Sequence, residues 1–184
     1  MMNNRLDPGA GQVDPLAVPE DLATWVGVRG LLNLVLEAGQ LTSLPEATRN
    51  FVAGDGRSFR PPMLLTLLAF SYARGWLDAD SIESMIGTDP TLRYITTGDS
   101  LESRDLVRFR RSNREAVQTV LAEVLREAWQ QRRASNNLRA GDRSLYLDSS
   151  LYRWFDNPLM PDFAKLARRR LDQAVLLDSV AKDL

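Results

Sequence analysis

The sequence predicts an all-α protein: a compact multi-helix domain with a helix-turn-helix-like segment and a C-terminal helical extension. Leu, Ala, Arg and Glu, which favour helices, dominate the chain, whereas strand-forming residues are scattered. Apolar residues recur every three or four positions through most of the sequence, as they do on one side of a helix. Residues that accept hydrogen bonds at helix starts precede several of these apolar segments.

The composition excludes several kinds of chemistry. With 184 residues, 44% hydrophobic and 26% charged, the chain is long enough and apolar enough for one folded domain. It contains neither cysteine nor histidine, so a disulfide framework, thiol chemistry, a Ser-His-Asp triad and a histidine-ligated metal are all excluded. The formal net charge of −1 gives no support for a polyanionic partner, and any nucleic-acid binding must depend on local charge.

Residues 1–17 are predicted to be a flexible lead-in, because two Asp-Pro pairs and two glycines interrupt any helical period. Residues 18–134 are predicted to form the helical domain, and residues 135–184 a loop and a C-terminal helix that packs on it or extends it. The N-terminus lacks the pattern of a secretory signal, and the longest apolar run, Met63 to Phe70, is too short to cross a membrane. A cytoplasmic location with no membrane partner is therefore expected.

The first helix is predicted from Pro19 to about Gly39, because proline and the following acids suit a helix start and glycine suits its end. Glycine is unfavourable inside a helix, so Gly27 and Gly30 weaken the prediction that this helix is continuous. The spacing of Ser43 and Glu46 indicates a capping box, which predicts a short helix from Leu44 to about Val52.

The helix predicted from Met63 to Arg74 is apolar almost all round and should therefore be the central one. The capping-box spacing of Asp80 and Glu83 predicts a short helix ending at Gly87. Trp76 is predicted to pack at the core or its rim rather than to stack on bases.

Asp89 followed by Pro90 predicts the next short helix, which runs to about Ile95, and its Tyr94 should also pack at the core or its rim. Ser100 is predicted to cap a segment from Leu101 to Arg111.

Ser112 and Glu115 have the spacing of another capping box, so either a new helix starts here or a long helix bends. The strongest amphipathic pattern in the chain follows, formed by Val117, Val120, Leu121, Val124, Leu125 and Ala128. Residues from Ser135 onward are predicted to be loop, with a short extended piece at 145–147. A final helix is predicted from Asp162, with the three arginines at 168–170 on its surface.

Five arginines cluster near Arg108. A helix turns about 100° per residue, so Arg104, Arg108 and Arg111 should share one stripe while Leu106 and Phe109 face the core. Arg110 and Arg114 flank this stripe, and all five are candidate DNA-binding residues, because the planar guanidinium fork binds a phosphate or a guanine edge through two hydrogen bonds. The alternative is a solvated helix surface whose arginines pair with Glu102, Asp105 and Glu115.

The order of elements resembles the helical N-terminal domain that precedes the catalytic core in bacterial insertion-sequence transposases of the aspartate-aspartate-glutamate type. The resemblance covers roughly residues 18–128 and depends on five weak matches in the right order. These are Val18-Pro19-Glu20-Asp21-Leu22, Arg60-Pro61-Pro62-Met63-Leu64-Leu65, Asp80-Ser81-Ile82-Glu83, Leu92-Arg93-Tyr94-Ile95 and Arg108-Phe109-Arg110-Arg111-Ser112-Asn113. The resemblance implies a DNA-binding, helix-turn-helix-like function in transposition.

The chain departs from that family in two respects. Ser103 and Asp105 stand where the family commonly has histidine and threonine, and only residues 141–184 remain where the family has a much longer RNase H-like catalytic domain. Asp148 lies about where the first catalytic aspartate would be, but the two-metal chemistry needs three carboxylates together. Asp148 is therefore interpreted as a turn or helix cap, and no catalytic residue, cofactor or metal is predicted.

We therefore expect a non-catalytic DNA-binding protein, a truncated or repurposed transposase, with double-stranded DNA as its partner and no small-molecule substrate. The alternative is a helical interaction or oligomerisation module without DNA binding, such as a homodimer formed through residues 117–128 or the last helix. A third hypothesis, an active nuclease or transposase, would require Asp148 to be catalytic.

Overall fold

The computed structural model describes residues 17–44, 51–139 and 160–180. These residues form seven helices and one two-stranded hairpin, so the fold is all-α as predicted. The helices are α1 (Ala23–Leu41), α2 (Pro61–Ala73), α3 (Ala79–Ile86), α4 (Pro90–Ile95), α5 (Ser103–Ser112), α6 (Arg114–Arg139) and α7 (Phe163–Val180). The strands are β1 (Phe51–Val52) and β2 (Ser58–Phe59).

Helix α2 lies at the centre of the fold, as its sequence predicts. Eleven of its thirteen residues are buried, because apolar side chains cover almost its whole circumference. Helix α6 packs against α1, α2 and α7, and its apolar stripe from Val117 to Ala128 is buried. The core is therefore continuous from α1 through to α7.

Helix α1 begins at Ala23, four residues later than predicted, and contains a break. Gly27 has φ 74° and ψ 162°, a combination that is nearly exclusive to glycine, so two helical pieces meet there. The backbone N–H of Leu22 donates to the carbonyl of Ala73 at 2.9 Å. This bond fixes the start of α1 against the end of α2.

The predicted helix from Leu44 to Val52 is wrong at its C-terminal end, and its residues 45–50 lie outside the described residues. Phe51 pairs with Phe59 and Val52 with Ser58 in an antiparallel hairpin. The turn between these strands contains Gly56 with φ 87°, and it reverses the chain directly after the point where the helix was predicted to end.

An aspartate side chain caps the start of α3 and of α4, but in α3 it is not the aspartate that the sequence predicted. Asp78, and not Asp80, caps α3, accepting from the backbone N–H of Ser81 at 2.7 Å. Asp89 caps α4 as predicted, accepting from the N–H groups of Thr91 at 2.8 Å and Leu92 at 3.0 Å. The turn between α3 and α4 comprises residues 87–89.

Helix α5 begins at Ser103 instead of Leu101, and Ser100 does not cap it. The carboxylate of Glu83 on α3 accepts from the backbone N–H of Ser103 at 2.6 Å, so a tertiary contact performs the capping. A new helix does start after Ser112: Asn113 ends α5 with a non-helical backbone and α6 follows directly.

Two expectations about the C-terminal third are corrected. Helix α6 continues to Arg139, through the segment that was predicted to be loop from Ser135. Arg170 is not a surface residue, since it is largely buried and donates to the carbonyls of Tyr72 at 2.6 Å and Pro19 at 2.5 Å.

Helix α7 begins after Asp162, as predicted, and the Asp162 carboxylate accepts from the N–H of Lys165 at 2.9 Å. The predictions for residues 1–16, 145–147 and Asp148 fall outside the described residues.

Candidate nucleic-acid interface

Helix α5 has a buried side and a charged side. Leu106 and Phe109 are at most 1% exposed, whereas Arg104, Arg108 and Arg111 are exposed. Phe109 packs edge-on against Phe51 of the hairpin, with 5.5 Å between ring centroids. Packing of the apolar side in the core therefore turns the predicted stripe of three arginines towards solvent.

The hairpin is attached to α5 through Asp105, which is 3% exposed. Its carboxylate accepts from the backbone N–H of Gly54 at 3.0 Å and from the Arg108 guanidinium at 3.0 Å. Arg108 also donates to the carbonyl of Val52 and lies 4.6 Å over the ring of Phe51. Arg108 therefore links hairpin and helix while about half of its side chain, 49%, remains exposed.

A second cation, Arg57, lies beside the N-terminal end of α5. It donates to the hydroxyl of Ser100 at 3.4 Å and pairs with Asp55 at 2.5 Å. The N–H and guanidinium of Arg57 lower the pKa of Asp55 below its ordinary value. Sequence reasoning missed Arg57 because its proximity to α5 depends on the hairpin, which was not predicted.

Arg104, at the same end of α5, is 64% exposed and pairs with Glu102 at 2.5 Å. Its guanidinium also lies against the hairpin, since a Cβ atom placed on Gly54 would be 3.2 Å from it. Exposed ion pairs contribute only about 0–1 kcal/mol, so a phosphate oxygen can replace Glu102 as the partner at little cost.

The remaining arginines differ in their environments. Arg111 is exposed, and no ion pair joins it to any other described residue. Arg114, at the start of α6, is exposed and pairs with Asp172 of α7.

Arg110 belongs to the interior, which corrects the expectation that it flanks an exposed stripe. Its guanidinium donates to the Tyr72 hydroxyl at 3.0 Å and pairs with Asp178 of α7. Burial alone would lower the pKa of Arg110, but Tyr72 and Asp178 outweigh burial and the pKa is raised above its ordinary value. Burial also raises the pKa of Tyr72 to about 12, so this hydroxyl stays neutral. In this structure Arg110 is not accessible to a duplex.

Helix α4 exposes three side chains, Pro90, Arg93 and Tyr94. Tyr94 is 70% exposed, so the expectation that it packs at the core or its rim is wrong. Leu92 and Ile95 face the core instead, and the helix spacing turns Tyr94 away from them. Trp76 does pack, edge-on against Phe70 at 6.5 Å between centroids and under Arg74 at 4.5 Å.

Within residues 17–44, 51–139 and 160–180, no group of three or more acidic, cysteine or histidine side chains is placed to hold a metal ion. Within the same ranges, no helix is long and apolar enough to cross a membrane. No family model, curated protein or solved structure matches this chain.

Proposed function

We propose that this chain is a non-catalytic DNA-binding protein whose duplex-facing surface is formed by Arg104, Arg108 and Arg111 of α5 together with Arg57 of the hairpin. The observation that supports it is the combination of exposed guanidinium groups on one side of α5 with full burial of Leu106 and Phe109 on the other. Because the backbone of the helix is already ordered, only the arginine side chains lose conformational entropy when they bind phosphates.

The neighbouring helices fit the same proposal. Helices α3 and α4 are joined by a three-residue turn that begins with Gly87, a spacing typical of helix-turn-helix units. Helix α4 exposes Arg93 and Tyr94, which add a cation and a polar aromatic group. On this proposal phosphate contacts supply most of the affinity, and one or two arginines reach base edges.

Arg104 and Arg111 give the cleanest test of DNA binding, because both are exposed. Arg108 is left unchanged, since it also anchors the hairpin through the carbonyl of Val52. The double variant R104A/R111A should bind a fluorescently labelled duplex at least about tenfold more weakly than the unaltered protein, since each charge-assisted contact contributes about 1.5–3 kcal/mol. Fluorescence anisotropy at low salt measures this change.

The double variant R29A/R169A is the matched control, because it removes the same charge from exposed positions on α1 and α7. It should retain near-normal affinity. Equal weakening in both variants, or no weakening in R104A/R111A, would refute the assignment of α5 as the contact surface.

A second candidate function is a protein-interaction module, and one observation favours it. Leu176 and Leu177 on α7 are 64% and 46% exposed, and with Gly75 and Leu77 they line a depression of about 340 Å³. Adjacent exposed leucines are typical of contact surfaces. If this module forms a homodimer, light scattering will give twice the chain mass, and Leu176→Asp will restore the monomer.

A further inference from the structure

A cleft of about 530 Å³ separates the α5–α6 junction from α7. This volume lies within the range of about 300–1,000 Å³ that is typical of small-molecule sites. The cleft is distinct from the depression beside Leu176 and Leu177, which lies against other residues.

The inner end of the cleft is polar but electrically balanced. Arg110 pairs there with Asp178, whose second oxygen accepts from the backbone N–H of Ala79 at 3.0 Å. Both side chains of the pair are at most 9% exposed. Because the two charges of this ion pair cancel, the pair lines the cleft without adding net charge.

The outer end carries an excess positive charge. Arg111 and Arg114 both line this end, and Arg114 pairs with Asp172, a carboxylate that also lies 3.9 Å from Arg168. No described acidic residue pairs with Arg111. Among the guanidinium groups that line the cleft, that of Arg111 is therefore the one without an acidic partner in the part of the chain that the structure describes.

The cleft also has an apolar wall, formed by Val107 of α5 and Val175 of α7; Leu171 of α7 borders the cleft but is fully buried. Val175 is 43% exposed, so it presents apolar surface to the same cleft that Arg111 lines. An occupant that contacts this wall would gain about 25 cal/mol for each Å² of apolar area removed from water.

We propose that this cleft binds a small carboxylate with an apolar body, whose carboxylate is held by Arg111 and whose apolar part lies against Val107 and Val175. A single negative charge balances the one unpaired guanidinium, and the planar fork of arginine matches a carboxylate through two hydrogen bonds. The proposal revises the sequence-based expectation of no small-molecule partner, and it does not depend on DNA binding.

Calorimetric titration with octanoate tests the proposal, with 1-octanol and octyl phosphate as comparison ligands. Octanoate should bind saturably with one molecule per chain, and at least about tenfold more tightly than 1-octanol. Octyl phosphate distinguishes the headgroups: it carries more negative charge than the cleft can balance and should bind more weakly than octanoate.

Three variants locate the site. Arg111→Ala should weaken octanoate binding by at least about tenfold, whereas the control Arg29→Ala should leave it unchanged. Val175→Glu should abolish binding, because its carboxylate would occupy the place of the ligand beside Arg111. Equal affinity for octanoate and 1-octanol, or equal effects of Arg111→Ala and Arg29→Ala, would overturn the proposal.

Discussion

Arg110 carries a full charge into the protein interior, where its neighbour in the sequence, Arg111, remains in solvent. Removing water from a guanidinium is costly, and only a well-placed partner compensates for that cost. Asp178 and the neutral hydroxyl of Tyr72 are those partners. Arg110 and Arg111 are adjacent in α5, yet Arg110 is a buried structural residue and Arg111 is a candidate ligand-binding residue.

Removal of Asp178 should be among the most destabilising polar substitutions in the chain. Asp178→Ala leaves Arg110 buried without a counter-charge and the N–H of Ala79 without its acceptor, so a loss of about 3–5 kcal/mol is expected. Urea unfolding followed by circular dichroism measures it.

Asp172→Ala is the matched control on the same helix. Asp172 and Arg114 are 50% and 43% exposed, so water screens their ion pair and its loss should cost at most about 1 kcal/mol. Similar losses in the two variants would mean that the Arg110–Asp178 pair contributes no more than a surface pair.

The sequence predicted which side of α5 is buried, because Leu106 and Phe109 follow the helical period. It could not predict that Arg110 joins them. The decisive partner, Asp178, lies 68 residues away, and no local pattern reports such a contact. For the same reason the role of Arg57 depends on a hairpin that brings it to Ser100.

The break in α1 lies at Gly27, the residue inside this helix whose backbone is not helical. Its φ of 74° and ψ of 162° lie in a region that side chains disfavour. Gly27→Ala should therefore destabilise the protein by about 1–3 kcal/mol in urea unfolding, although no atom beyond its neighbours lies within 4 Å of an added Cβ.

Gly30→Ala supplies a control of opposite sign. Gly30 lies in the regular part of α1, and its added Cβ would make an ordinary contact with Val26 at 3.5 Å. Because alanine favours a helix, this variant should gain about 0.5–1 kcal/mol. If both substitutions stabilise the protein, the break at Gly27 is not required by the fold.

The hairpin shows why local patterns failed between residues 51 and 59. Strands of two residues are too short for an alternating pattern, so the spacing of Ser43 and Glu46 was the stronger local signal. Tertiary contacts define the strands instead: Phe51 packs on Phe109, and Gly54 donates to Asp105. These contacts become apparent only once α5 is in place.

For the molecule as a whole, the sequence predicted the helical class, the central position of α2 and the amphipathic stripe of α6, which the structure shows to be buried in the core. These predictions succeed because long apolar patterns bury large areas, and buried apolar area dominates the free energy of folding. The predicted ends of helices were less accurate, because single hydrogen bonds, such as the one that the N–H of Ser103 donates to Glu83, determine where a helix begins.

Helix α7 is part of the common core, so the protein should unfold as one unit. Leu171 is fully buried between α7 and the rest of the core, and Leu171→Ala should cost about 2–5 kcal/mol. Fluorescence and circular dichroism should give coincident urea transitions.

Leu176→Ala, on the exposed side of the same helix, should change stability by no more than about 0.5 kcal/mol. Separate transitions by the two methods, or a Leu171→Ala protein as stable as Leu176→Ala, would show that α7 is an independent appendage.

The salt dependence of duplex binding tests the central claim most directly. Counterion release gives a slope of log K against log salt of about −0.9 for each phosphate neutralised, so a surface formed by Arg57, Arg104, Arg108 and Arg111 predicts a slope between about −2 and about −4. In R104A/R111A the slope should become shallower by about 2. A slope near zero, or a slope unchanged in that variant, would contradict DNA binding through α5.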